Sequence, residues 1–199
     1  MAKPSSHLRL VSSSEPEFSR EAAAERFRDM MADHIRAHAE GTNINQETLL
    51  TTNYLNHFNE VIMLLEMLPT APAELAAELA NWQHKTYEEH FLHSGFREKD
   101  LAIAAYKHAP TDIRNAFDSI TNDLSGELSG VLHEVQGIVA GNDLAALSEL
   151  CMGAIPALQS KLETAIAIVN GEIEPTDDAQ AEVCPVSGAH QAAVDEIFE

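Results

Sequence analysis

Apolar residues in this chain recur every three or four positions, the period of a helix with one buried face. In the first such run Phe27, Met30, Met31 and Ile35 share a face. Ahead of it, Ser14-Glu15-Pro16-Glu17 has the make-up of a helix start. Ser14 is placed to cap, Pro16 to sit in the first turn and Glu17 to cap reciprocally. Gly41 stops the run. A second run begins near Asn45 and carries Leu50, Tyr54, Phe58, Val61, Ile62, Leu65 and Leu68 up to Pro69, which cannot continue a helix. The pattern predicts a third helix from about Pro72 to His93, ending at Gly95, and a shorter one over about 97–108. Pro110 opens a long stripe of Ile113, Phe117, Ile120, Leu124, Leu128, Val131, Val135 and Ile138, ending near Gly141. The last stripe, capped by Asn142 or Asp143, holds Leu144, Leu147, Cys151, Ile155, Leu158, Leu162, Ile166 and Val169. Pro156 removes one backbone bond from it and predicts a kink, and Gly171 closes it.

No stretch alternates with period two for long enough to predict a strand. The expected fold is therefore all-α, a helical bundle of four or more helices over residues 15–170. Residues 1–14 are Ser-rich and read as a flexible arm. Residues 171–188 are aperiodic and acidic and read as a flexible linker. Residues 189–199 form a short amphipathic segment, with Val194, Ile197 and Phe198 at i, i+3, i+4. So short a helix is not stable alone in water. It calls for a groove to fold against, on a partner or on its own bundle.

Charge narrows the partners. The net charge is −20 with only 12 Lys and Arg in 199 residues. Nucleic acid and anionic membrane surfaces both need a basic face and are not expected. No run approaches the roughly 20 apolar residues of a membrane span. Cys151 and Cys184 are too few for a disulfide framework and read as reduced thiols. With no secretory run at the N-terminus, the expectation is a cytoplasmic protein.

Ten histidines raise the question of metal. His34 and His38, His57 and Glu60, His84 and Glu88, and His90 and His93 are pairs that can meet on one helix face. No histidine has a Glu three residues before it, so the Glu-x-x-His of ferritin-like di-iron bundles is missing. Two readings stay open. The histidines are solvated or hydrogen-bonded helix residues and the chain holds no metal, or His57, Glu60, His84, Glu88, His90 and His93 serve a metal- or haem-binding bundle. Trp82, Tyr87, Phe91 and Phe96 read as core aromatics. The glycines make no P-loop or dinucleotide fingerprint.

One turn of the long stripe breaks local rules. In Asp123-Leu124-Ser125-Gly126-Glu127 two carboxylates sit at i, i+4 on one face, and a mid-helix Gly costs about 1 kcal/mol relative to Ala. Such breaks mark functional sites, although a close helix–helix contact at Gly126 and Gly130 would explain the glycines equally well.

Two segments resemble known chemotaxis families. Gln191-x-x-Val194-Asp195-x-Ile197-Phe198 is similar to the N-terminal peptide of the FliM flagellar switch proteins and to the C-terminal helix of the CheZ phosphatases. Both bind the response regulator CheY. The Asp123–Glu127 turn resembles the Asp-Leu-Thr-Gly-Gln turn of the CheZ family, whose Asp and Gln act on the aspartyl-phosphate, the Gln orienting the attacking water. The order of bundle, linker and docking helix is also that family's. The resemblance implies a chemotaxis or two-component signalling protein. It would bind a CheY-like receiver through Gln191, Val194, Asp195, Ile197 and Phe198, with Asp123 and Glu127 as catalytic residues of a phosphatase. The alternative is a non-enzymatic adaptor for the same receiver. No cofactor of its own is implied, since Mg2+ would arrive with the receiver. Glu127 departs from the family, because a carboxylate lacks the amide donor of Gln. The helix from Asn142 to Asn170 has no obvious counterpart there, and 51–109 matches no family pattern. The long stripes permit a homodimer as readily as a monomer.

Overall fold

The computed structural model describes residues 19–173, and every regular element in that range is helical. The protein is all-α. Its helices are α1 (Arg20–Ala39), α2 (Asn56–Met67), α3 (Pro72–Leu79), α4 (Tyr87–Leu92), α5 (Lys99–His108), α6 (Thr111–Gly141) and α7 (Leu144–Asn170). Short 3-10 turns at Thr52–Leu55 and Leu68–Thr70 flank α2.

The α6–α7 hairpin is the spine. Pro110 precedes α6, and Asn142 ends it in the left-handed region at φ 55°. Asp143 caps α7 by accepting from the Ala146 N–H at 3.0 Å. A two-residue link makes the helices antiparallel neighbours, and this pair shares the largest interface of the molecule. α7 stays helical through Pro156, which lies on its exposed face. It ends at Gly171, where φ of +73° suits a residue without Cβ.

The other elements cover this hairpin. α2 lies on α7, α3 lies on α6, and α5 carries α1 and α4. The Thr48 hydroxyl donates to the Val169 carbonyl at 2.7 Å and ties the loop before α2 to the last turn of α7. Tyr54, Phe58, Phe91, Phe117, Leu124 and Leu128 are fully buried at the centre. Cys151 is buried on α7, and burial pushes its thiol pKa up. Among the described residues no helix is long and apolar enough to cross a membrane.

Four expectations are corrected. Helix α1 is capped by Ser19, whose hydroxyl accepts from the Ala22 N–H at 3.1 Å, and not by Ser14, which lies outside the described residues. Phe27 and Met30 on its apolar stripe are more than half exposed, and burial starts only at Ala32 and Ile35. No helix starts at Asn45. Its side chain instead accepts from the N–H groups of Glu47 and Thr48, a local turn that competes with helix, and Leu49 follows at φ 58°. The helix expected from Pro72 to His93 is two helices. α3 stops at Leu79, the chain has no regular structure from Trp82 to Thr86, and α4 restarts there. The restart is a capping box: Thr86 accepts from the Glu89 N–H while the Glu89 carboxylate accepts from the Thr86 N–H.

Candidate functional site

Leu124 and Leu128 point into the core and thereby fix the rotation of α6. Asp123 is consequently exposed and Glu127 half-buried, at the margin between α6 and α7. The Lys161 ammonium of α7 reaches the Glu127 carboxylate at 3.3 Å. Both side chains are about one-third exposed, so the pair adds no more than about 1 kcal/mol to stability. Its interest is chemical, because Lys161 is the only Lys or Arg after Arg114 in the whole chain. The sequence reading missed it, although the isolation of that one cation in an acidic stretch was a visible signal.

The glycines of this turn have no packing reason. A Cβ at Gly126 or Gly130 would meet no atom of the described residues within 4 Å, so no close helix–helix contact among them accounts for these glycines. Both have ordinary negative φ. Gly126→Ala is therefore expected to raise stability by about 0.5–1 kcal/mol, through lower chain entropy in the unfolded state. Urea denaturation reads this directly, and a loss of stability would mean that the turn is tighter than the geometry allows.

The histidines do not converge. His57 on α2 and His90 on α4 come together, with ring centroids 5.1 Å apart. They share a pocket of about 330 Å3 with Asn53, Asn56 and Glu60. The His57 Nδ1–H donates to the Tyr54 carbonyl, which leaves Nε2 as a buried acceptor with no hydrogen-bond partner among the described residues. Burial is the main reason its pKa falls to about 4, and the neighbouring His90, His84 and Lys85 lower it further. Burial lowers the His90 pKa as well. The remaining candidates do not complete a metal site with them. Glu88 pairs with Lys107 at 3.1 Å, the His93 Nδ1–H donates to the Glu89 carbonyl at 2.8 Å, and the His84 ring lies 6.4 Å from that of Phe58. Among the described residues no three His, Cys, Asp or Glu side chains form a group able to hold a metal ion.

Gln191, Val194, Asp195, Ile197 and Phe198 lie outside the described residues, as does Cys184. What the described part presents is one solvent-reaching turn bearing Asp123, Glu127 and a lone lysine. No protein-family model, curated protein or solved structure matches the chain.

Proposed function

We propose that this protein binds a phosphorylated CheY-like receiver domain in the cytoplasm through Gln191, Val194, Asp195, Ile197 and Phe198, and presents the Asp123–Glu127 turn to its phosphoaspartate. The carrying observation is the exposed Asp123 beside the Glu127–Lys161 pair. A bare carboxylate at position 127 would repel a phosphoryl group. An ammonium 3.3 Å away offsets that charge and supplies a cation for the phosphoryl oxygens. Glu127 can then accept a proton from the attacking water, a role that needs no amide donor. The C-terminal segment acts as a tether, raising the receiver's local concentration at the hairpin without new contacts there.

The second reading is an adaptor that holds the receiver without hydrolysis. It is favoured by the same ion pair, since Lys161 already occupies Glu127. The two separate in one experiment with the full chain and a set of phosphorylated receivers, following phosphate loss in Mg2+. Hydrolysis that speeds up with the protein and fails with Asp123→Ala supports the phosphatase. Binding that is lost with Ile197→Ala plus Phe198→Ala, without faster hydrolysis, supports the adaptor. A gain of activity in Glu127→Gln would show a competent scaffold silenced by its carboxylate. If no receiver is bound, both readings fall.

A further inference from the structure

A separate pocket of about 180 Å3 opens where the irregular segment before α4, together with α4 and α5, meets α6. Tyr106 and His84 line it above the buried Tyr54, Tyr87 and Phe117, and its one carboxylate is Asp118. The rings hold one another in place: Tyr87 stacks on Tyr106 at 4.6 Å, and Tyr54 meets Tyr87 at 5.1 Å and Phe117 at 5.8 Å. His84 and Asn122 also line it, and three of the other polar groups are committed. The Tyr54 hydroxyl donates to the Lys85 carbonyl at 2.8 Å, the Tyr87 hydroxyl accepts from the Thr51 N–H at 3.1 Å, and Thr121 donates to the Phe117 carbonyl at 2.8 Å.

Asp118 differs from these. It accepts from the Tyr106 hydroxyl on both oxygens, at 2.8 and 2.9 Å, and this fixes its orientation. It takes part in none of the ion pairs found among the described residues. Burial pushes its carboxyl pKa up, against the opposing effects of the Tyr106 bond and of Arg114, one helical turn back on α6. An oriented, half-buried carboxylate outside any ion pair, beside the partly exposed Tyr106 ring, is complementary to a cation that carries apolar substituents. A hydrated metal ion fits badly, because a single carboxylate cannot replace its oxygen shell. An organic ammonium satisfies both demands, the charge through Asp118 and the alkyl surface through the Tyr106 ring. The net charge of −20 favours such a ligand at long range.

We propose that this pocket binds an organic ammonium group, primary or methylated, with Asp118 as its counter-ion and the Tyr106 ring as its apolar wall. The site stands on its own residues and does not depend on a receiver partner. The ammonium group can belong to a free amine or to a lysine side chain, and the probes distinguish them.

The test is calorimetric titration of the full chain with tetramethylammonium, choline and Nα-acetyl-lysine methylamide, whose ε-ammonium is free, beside 3,3-dimethylbutanol, the neutral counterpart of choline. Saturable one-site binding of at least one cation is expected, with the neutral alcohol weaker by about tenfold or more. Choline or tetramethylammonium as the stronger probe points to free amines, and the lysine derivative to a peptide. Asp118→Asn should weaken the cation by about tenfold while helicity and the urea midpoint hold, and Asp123→Asn should leave it unchanged. Equal binding of choline and its neutral counterpart overturns the assignment. So does an Asp118→Asn variant of full affinity, or the absence of binding by every ammonium up to about 10 mM. The comparison of choline with the alcohol uses the unaltered chain, so it decides even if Asp118→Asn does not fold.

Discussion

Phe117→Ala is expected to cost about 3–5 kcal/mol of stability. Phe117 is fully buried on α6, its ring 5.8 Å from Tyr54 and 6.0 Å from Tyr87. Truncation removes the apolar transfer term and also leaves a void that these rings cannot fill. Their own hydroxyls hold them, Tyr54 to Lys85 and Tyr87 to Thr51. The void therefore stays open, which places the cost toward the upper part of the range. For a domain of this size the melting point should drop by roughly 10 °C or more. Phe27→Ala is the matched control, since Phe27 is 57% exposed and should shift stability by less than about 0.5 kcal/mol. Similar midpoints for the two variants in urea would show that the centre of the bundle is not where the structure puts it.

Acid should weaken the fold through His57. Its folded pKa of about 4 lies below the ordinary 6.5, so between these values the unfolded chain binds a proton that the native chain refuses. Stability then rises with pH across this window. The contribution is fully present above about pH 6.5 and is lost as pH falls toward 4. The size is on the order of 2–3 kcal/mol, and His90, shifted in the same direction by its own burial, adds to the slope. Denaturation midpoints taken from pH 7 to pH 4.5 should fall steadily in the natural chain and more shallowly in His57→Gln. Parallel slopes would show that the imidazole is not buried in its neutral form.

These two residues also show what a linear reading can reach. The α6 stripe was legible because Phe117, Leu124, Leu128, Val131 and Val135 keep the helical period without interruption, and all five are buried. Asp123 and Glu127 were legible as neighbours because i, i+4 is a property of one helix. Lys161 was not, because it meets Glu127 only through the register of a hairpin. His57 and His90 likewise share a pocket only after α4 has folded over α2. The errors have local causes. Periodicity tells which residues share a face but not whether anything covers it, and Phe27 and Met30 are the result. The break between α3 and α4 was written in Thr86-x-x-Glu89, a start signal lying inside what read as one continuous helix. At Asn45 a side chain won the backbone donors that a helix would have used.

The Thr48–Val169 hydrogen bond sets an order of events during synthesis. It joins residues 121 apart, whereas α6 and α7 need only a two-residue link to meet. At ordinary translation rates Thr48 precedes its partner by about 6 to 25 s. Through that interval the surfaces of α2 and of the Thr52–Leu55 turn that α7 will cover have no α7 to cover them. The hairpin that closes fastest is thus the one made last, and the early half of the nascent chain must stay soluble until it arrives.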